Sequence, residues 1–296
     1  MSRPNLLLCF DAFGTLFKPI RPVAQQYADV ARQCGLTNLS DDEVKSSFSK
    51  AFKHEAKTNP NYGRATGLGA TQWWTNVIHN TFDSVLRNGE VVPQDLAPRL
   101  IHRFGSSEGY ETEPDLVASL RSLRTSKSRH FSNIAIGVLT NTDDVVPAVL
   151  SDFGLRVSPL RYGMDEAEVP EEEQDIDFHC MSYDVGHEKP DKRMFSAAES
   201  MLAKIIESRK HQLASDEAES LESNWTKILV GDEYEKDVEG SVNAGWNAIL
   251  LDPANESPRI SRLEDHLDLS LAEVTNKGPA MRVQSIGKLA TWLAQP

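Results

Sequence analysis

The sequence predicts a parallel α/β fold in which a long helical segment separates the first strand from the second. Three observations favour this fold. Continuous apolar runs of strand length recur along the chain, most of them end at a polar residue, and segments with helical spacing of apolar residues lie between them. Strands that alternate with helices form a parallel sheet, and such strands are buried on both faces, so they consist of unbroken apolar runs.

Four runs are predicted to be buried strands. They are residues 6–10 before Asp11, 134–139 before Thr140, 227–230 before Gly231-Asp232, and 248–251. A shorter strand is predicted at 178–181. In an open parallel sheet the ligand site lies beyond the carboxyl ends of the strands. Asp11, Thr140 and Asp232 are therefore expected to lie at one edge of the sheet.

The segment between the first two strands, about residues 21–104, has a helical pattern. Apolar residues recur at helical spacing, as in Val44, Phe48 and Ala51, and no strand is predicted. Ser40 followed three residues later by Glu43 predicts the start of a helix. Trp73 and Trp74 are expected to pack within this helical insertion.

Charge and composition narrow the possible partners. The 296 residues include 31 Lys and Arg and 44 Asp and Glu, which gives a net charge of −13 at pH 7. Such a surface repels nucleic-acid backbones and anionic membranes, so neither is an expected partner. A small anionic substrate would need a local cation or a bound metal. The oligomeric state stays open.

The cysteines and the amino terminus give an expectation about compartment. The three cysteines have neither a CxxC spacing nor a dense arrangement, so a disulfide framework or zinc site is not expected. No apolar run reaches the length of a membrane span or a secretory core. We expect an intracellular protein, in the cytoplasm, with the nucleus and the mitochondrion left open.

The polar residues at the strand ends suit a covalent displacement reaction. A carboxylate can attack phosphorus or carbon and form an ester, which divides one difficult step into two. A hydroxyl can hold the transferring group, and a lysine can neutralise charge on nucleophile and substrate. Further acids can hold Mg²⁺, which prefers oxygen ligands. We therefore expect one acidic magnesium site with Asp11 as the nucleophile.

Four motifs in this order resemble those of the haloacid dehalogenase-like (HAD) hydrolase superfamily. They are Asp11-Ala12-Phe13-Gly14-Thr15-Leu16, Thr140-Asn141, Lys189-Pro190-Asp191, and Gly231-Asp232 with Asp237. The resemblance implies a Rossmann-like parallel sheet core, residues 1–17 and 111–296, with an inserted α-helical cap, residues 18–110.

The resemblance also implies a role for each matching residue. The catalytic residues would be Asp11, Thr140 and Lys189; the substrate-binding residues Thr140, Asn141 and Lys189; and the Mg²⁺ ligands Asp11, the backbone carbonyl of Phe13, Asp232 and Asp237. The implied activity is a magnesium-dependent phosphatase that acts on a small phosphorylated metabolite through an aspartyl-phosphate intermediate.

Phe13 departs from the pattern of these phosphatases. Most of them have a second aspartate two residues after the nucleophile, as general acid and base, which contributes roughly 10²–10⁴-fold in rate. His187, Glu188 and Glu233 are candidates to replace it. Dehalogenases of the superfamily have an aromatic residue at this position, but they work without metal and lack the Gly-Asp-x4-Asp pattern. A metal-independent dehalogenase and a catalytically weak binding or regulatory protein therefore remain alternatives.

Overall fold

The computed structural model describes residues 3–87, 89–164, 169–170, 172–210, 220–221 and 224–296. The chain forms two compact units. The first contains the chain up to Phe17, Thr112–Asn141 and the chain from Phe153 onward, and the second contains Lys18–Glu111 and Thr142–Asp152. None of the described helices is both long and apolar enough to cross a membrane.

Eight strands are described. In chain order they are β1 (Asn5–Phe10), β2 (Lys18–Pro19), β3 (Tyr110–Glu111), β4 (Ile134–Thr140), β5 (Phe178–Met181), β6 (Trp225–Gly231), β7 (Asn247–Leu251) and β8 (Ala280–Val283). Six of them form one parallel sheet in the first unit, in the order β5-β4-β1-β6-β7-β8. The predicted parallel α/β core is confirmed.

The helices follow the alternation that the sequence predicts. They are α1 (Val23–Gln33), α2 (Asp41–Thr58), α3 (Ala70–Asp83), α4 (Leu96–Phe104), α5 (Leu116–Thr125), α6 (Val146–Asp152), α7 (Ser182–Val185), α8 (Lys192–Lys210), α9 (Gly240–Asn243), α10 (Leu271–Lys277) and α11 (Ile286–Leu293). Short 3₁₀ turns lie at Asn61–Thr66, Ser107–Gly109 and Leu263–His266, and Tyr234–Glu239 is a π-helical turn.

The central strand fixes the position of the site. All six residues of β1 are buried, and β1 pairs with β4 on one side and with β6 on the other. Phe10 is in register with Val138 of β4 and Val230 of β6. The carboxyl ends of the three strands therefore reach the same edge, as the apolar runs predict.

One glycine of β4 is required by packing against β5. A Cβ atom on Gly137 would lie 2.3 Å from the Cζ atom of Phe178, which is paired with Gly137 in the sheet. Phe178 is fully buried in the core of the first unit. Any side chain at position 137 would displace this ring.

The second unit is built on its own helical core. Tyr27 of α1, Ile78 and Phe82 of α3, and Leu100 of α4 are buried together. The predicted helix start at Ser40 is confirmed, because the Ser40 hydroxyl accepts a hydrogen bond from Glu43 N and the Glu43 carboxylate accepts one from Ser40 N. The two-stranded antiparallel sheet of β2 and β3 also belongs to this unit.

The division of the chain differs from the expected one in two places. The return from the insertion falls after Glu111 rather than after residue 110, and residues 142–152, expected in the core domain, group with the second unit. Two hydrogen bonds give the physical reason. Trp74 Nε1 donates to Asp143 Oδ2 at 2.6 Å, and Ser107 N donates to Asp152 Oδ2 at 3.1 Å.

Candidate active site

Asp11 lies directly after β1 and is held by its neighbours in the sheet. Its backbone N–H donates to the carbonyl oxygen of Val230 at 2.8 Å. Burial raises the pKa of Asp11, and the Thr140 side chain, at the end of β4, is one of the nearby groups that act in the opposite direction. Both residues are buried, with relative exposures of 7% for Asp11 and 1% for Thr140. The two residues that the sequence places at adjacent strand ends therefore lie close together.

Lys189 connects two buried carboxylates. Its Nζ atom donates to Asp11 Oδ1 and to Asp237 Oδ1, each at 2.7 Å. Burial alone would lower the pKa of Lys189, but its attraction to the two carboxylates outweighs burial and raises that pKa. The ammonium group therefore stays charged, and it fixes the distance between Asp11 and Asp237.

Asn141 holds the backbone of Lys189 from both sides. Lys189 N donates to Asn141 Oδ1 at 2.7 Å, and Asn141 Nδ2 donates to Lys189 O at 3.0 Å. In this structure the Asn141 amide therefore positions Lys189. Its expected contact with substrate stays a prediction.

Asp237 is fixed within the turn that follows β6. Its Oδ2 atom accepts a hydrogen bond from Glu233 N at 3.0 Å, and Asp237 as a whole is 1% exposed. A Cβ atom on Gly231 would lie 2.2 Å from Asp237 Cγ, so this carboxylate packs directly on the glycine backbone. Gly231 is therefore part of the site because it leaves room for Asp237.

Asp232 is the exposed acid of the site. Thr15 Oγ1 donates to Asp232 Oδ1 at 3.2 Å. Gly14 has a φ of 82°, and a Cβ atom there would lie 2.2 Å from Asp232 Oδ2. Partial desolvation and then repulsion from Asp11 and Asp237 raise the pKa of Asp232 to about 6.

The donor set fits a hard divalent cation. Carboxylate oxygens of Asp11, Asp232 and Asp237 all lie within 4.8 Å of one another. Lys189 offsets one of their three charges, and burial together with the nearby Asp237 raises the pKa of Asp11 despite the attraction of Lys189. Among the residues that the structure describes, Lys189 is the only Lys or Arg side chain bonded to this cluster. Mg²⁺ accepts oxygen ligands of this kind.

Phe13 lies in the tight turn between Asp11 and Phe17. The Gly14 N–H donates to Phe17 O at 2.9 Å, and the ring centroids of Phe13 and Phe17 are 4.9 Å apart in an edge-to-face arrangement. The side chain therefore packs on a buried ring. The Phe13 carbonyl stays a predicted metal ligand.

The residues proposed to replace the missing acid lie at or near the surface. Glu188 is exposed and His187 is half-buried. The Glu233 carboxylate accepts a hydrogen bond from Lys236 Nζ at 2.9 Å. Whether any of them transfers a proton stays a prediction.

Sequence reasoning did not assign roles to Thr15 or to Gly14 and Gly231. All three lie within the four motifs, and this position could have indicated that they belong to the site. Their function became visible only from the contacts with Asp232 and Asp237.

Comparison with known proteins agrees with the fold and with the predicted superfamily. No protein-family model matches the chain. The chain is 30% identical over 246 residues to the Schizosaccharomyces pombe protein named uncharacterized hydrolase C7D4.05, covering 83% of this chain and 90% of the relative. It is 28% identical over 269 residues to haloacid dehalogenase-like hydrolase domain-containing protein 3 of Danio rerio, covering 91% of each chain.

A solved structure shows the same fold. The 2-haloacid dehalogenase of Pseudomonas syringae pv. Tomato DC3000 matches with a TM-score of 0.51 and 18% identity, over 99% of each chain. The chain belongs to the haloacid dehalogenase-like hydrolase superfamily. The resemblance predicted from the four motifs is confirmed. Residues 59–63 and 72–74 of the insertion also resemble haloacid dehalogenase-like hydrolase domain-containing protein 3.

Proposed function

We propose that this hydrolase is a magnesium-dependent phosphatase of a small phosphorylated metabolite and acts through an aspartyl-phosphate intermediate. The proposal rests mainly on one observation, the convergence of Asp11, Asp232 and Asp237 within 4.8 Å. Because one lysine is bonded to these three carboxylates in the described part of the chain, an anionic substrate is repelled from Asp11 unless a cation is added. A bound divalent cation supplies the missing charge.

Asp11 is the nucleophile in this proposal. Its carboxylate attacks phosphorus, the P–O bond to the leaving group breaks, and an acyl phosphate forms on Asp11. Water then attacks the acyl phosphate, which releases inorganic phosphate and returns the carboxylate. Lys189 holds Asp11 Oδ1 at 2.7 Å and keeps a positive charge beside the reacting group. In this proposal Thr140, at the end of β4, holds the phosphoryl oxygens.

The metal would be held by Asp11, Asp232 and Asp237, with the predicted carbonyl of Phe13. When bound, Mg²⁺ supplies Lewis-acid polarisation of the phosphoryl group and screens its charge from the nucleophile. Thr15 keeps Asp232 oriented by its hydrogen bond of 3.2 Å. Asp237 is kept in place by Lys189 and by the backbone of Glu233.

Phe13 limits which leaving groups can depart. Its ring cannot protonate an alkoxide, so the enzyme favours phosphorylated compounds whose leaving group is stable as an anion, such as acyl or aryl phosphates. General acid help is worth roughly 10²–10⁴-fold, and this factor is lost for alkyl phosphates. A steep dependence of kcat/KM on the pKa of the leaving alcohol is the kinetic signature of this arrangement.

A dehalogenase is the second candidate, and Phe13 favours it. Displacement of halide from a 2-haloacid needs no proton on the leaving group, so a phenylalanine at this position is no handicap. The carboxylate of Asp11 would attack carbon instead of phosphorus. The acidic cluster argues against this candidate, because Asp232 adds negative charge beside an anionic haloacid.

Phosphate release decides between the candidates. Wild-type protein and Asp11→Asn are compared on acyl, aryl and alkyl phosphates, with Mg²⁺ or with EDTA, and halide release from 2-haloacids is measured in parallel. Asp83→Asn is the control because Asp83 is an exposed aspartate of the second unit. Phosphate release that requires both Mg²⁺ and Asp11 supports the phosphatase. Halide release in EDTA supports the dehalogenase, and no release of either product leaves a binding protein.

A further inference from the structure

The loop after β4 contains a second anchor besides Asn141. Asp143, two residues further on, is 2% exposed. Its Oδ2 atom accepts a hydrogen bond from Trp74 Nε1 at 2.6 Å, and its Oδ1 atom accepts one from Val145 N at 3.4 Å. Among the described parts of the chain, no Lys, Arg or His forms an ion pair with Asp143. Burial accordingly raises the pKa of this carboxyl group.

A buried carboxylate without a cation is costly, and hydrogen bonds are what offset the cost. The indole N–H of Trp74 is the shorter of the two bonds and comes from a residue 69 positions away in sequence. The Trp74–Asp143 bond therefore determines where the carboxylate lies. Since Asp143 also bonds Val145 N, it fixes the backbone just before α6.

Trp74 is a rigid donor because other rings surround it. Its ring centroid lies 4.8 Å from that of Trp73 with an angle of 83° between the planes, and 5.9 Å from that of Phe52. Tyr62 adds a contact at 6.4 Å. The predicted packing of Trp73 and Trp74 within the insertion is confirmed for this cluster, and the polar edge of Trp74 remains directed at Asp143.

We propose that Trp74 and Asp143 are positioning residues for Lys189, and this inference rests on the proposed function. Trp74 fixes Asp143, Asp143 fixes the short stretch of chain that begins at Asn141, and Asn141 bonds both the N–H and the carbonyl of Lys189. The link from Asp143 to Asn141 is the chain itself. A change at Trp74 therefore alters the position of the Lys189 ammonium without touching the reacting atoms.

Trp74→Phe tests whether Trp74 positions Lys189 through Asp143. It replaces the two-ring indole by a single aromatic ring and removes the N–H donor. The matched control is Trp73→Phe. Trp73 is the neighbouring residue on α3, its Nε1 donates to Asn59 O at 3.0 Å, and it is 2% exposed. The control loses the same kind of bond from a more deeply buried position. General loss of packing would therefore lower activity more in Trp73→Phe than in Trp74→Phe.

The expected kinetic result is a loss in kcat. For Trp74→Phe, kcat on the best phosphate ester falls on the order of 10- to 100-fold, as for a small misplacement of a catalytic group, while KM changes by less than about threefold. Trp73→Phe keeps kcat within about threefold of wild type. Asp143→Ala lowers kcat at least as much as Trp74→Phe, because it also removes the bond from Val145 N, and the double variant is no worse than the poorer single variant because both remove the Trp74–Asp143 bond. Asp143→Asn keeps one acceptor oxygen for Trp74 Nε1 and loses the bond from Val145 N, so its kcat is expected to lie between those of the wild type and Asp143→Ala.

A second measurement does not depend on turnover. The Lys189 amide N–H is bonded to Asn141 Oδ1, so its hydrogen exchange reports whether the Asn141–Lys189 pair is intact. Exchange at Lys189 is expected to speed up at least about tenfold in Trp74→Phe and to be unchanged in Trp73→Phe. If wild type releases no phosphate, the proposed function fails and amide exchange alone decides the inference. Equal effects of the two tryptophan variants on exchange and on kcat would overturn it.

Discussion

Replacing Lys189 by methionine removes one charge from the centre of the acidic cluster. Methionine is nearly as long as lysine and apolar, so the main change is electrostatic. Lys189 Nζ contacts Asp11 Oδ1 and Asp237 Oδ1 at 2.7 Å each, and the three side chains are at most 9% exposed. Removal of one partner of a buried ion pair leaves an uncompensated charge and costs about 3–5 kcal/mol.

The expected loss of stability is therefore about 3–5 kcal/mol in EDTA, near the upper figure because one ammonium serves two carboxylates. This is a large part of the roughly 5–15 kcal/mol that stabilises a typical domain. Addition of Mg²⁺ is expected to recover part of the loss, since the cation restores positive charge to the same carboxylates. Equilibrium urea unfolding followed by circular dichroism measures the difference, with and without the metal.

Lys236→Met is the matched control. Lys236 Nζ lies 2.9 Å from Glu233 Oε1, but its side chain is 40% exposed and that of Glu233 is 54% exposed. A surface pair of this kind contributes about 0–1 kcal/mol. A loss of less than about 1 kcal/mol for Lys189→Met, equal to that of the control, would refute the reasoning that the buried lysine neutralises the cluster.

Three further predictions concern the acid position, the glycine turn and a buried histidine. Phe13→Asp supplies a proton donor and is expected to raise turnover of alkyl phosphates by roughly 10²–10⁴-fold, measured as phosphate release. Gly14→Ala places a Cβ atom 2.2 Å from Asp232 Oδ2, so Mg²⁺ affinity measured by calorimetry is expected to fall about 10- to 100-fold. Burial lowers the pKa of His179 to about 4, and His179 Nε2 has no hydrogen-bond partner among the described residues. The unfolded chain therefore takes up a proton on His179 at a higher pH than the native state does. Above about pH 6.5 this residue does not change the free energy of unfolding. As the pH falls toward 4, it lowers that free energy by up to about 3 kcal/mol. In urea unfolding as a function of pH, His179→Gln is expected to flatten that decline.

Each of these has a control on the same chain. Phe13→Asn loses the ring and gains no acid, so equal turnover of the Asp and Asn variants would exclude proton donation at position 13. Gly35 also has a positive φ, 98°, but a Cβ atom there would meet nothing within 4 Å, so equal Mg²⁺ affinities for Gly14→Ala and Gly35→Ala would count against the Asp232 clash. His54 is exposed, and a pH profile of His179→Gln that matches that of His54→Gln would contradict the role of the buried ring.

The sequence determined the core fold and the membership of the acidic cluster. Unbroken apolar runs are typical of strands buried on both faces, and parallel strands bring their carboxyl ends to one edge. Asp11, Thr140 and Asp232 follow such strands directly, so their proximity is a consequence of strand order. Lys189 and Asp237 were assigned by resemblance to a family, and the structure brings both to Asp11.

The last strand shows where a local pattern fails. β8 consists of Ala280–Val283 and lies at the edge of the sheet, but it includes Arg282, and the tail before it is polar. Arg282 is nevertheless only 6% exposed, because its Nη1 atom donates to Asp252 Oδ2 at 3.1 Å. The compensating charge lies 30 residues away, so the apolar pattern of the strand alone did not reveal it.

Only the tertiary structure decided which side chains hold the residues of the candidate site in place. The bonds of Asn141 with Lys189, Thr15 with Asp232, and Trp74 with Asp143 join residues 48 to 217 positions apart. The grouping of residues 142–152 with the second unit has the same origin. Periodicity and propensity report what a residue does with its near neighbours in the chain, whereas a hydrogen bond between distant side chains depends on distances that exist only after the chain has folded.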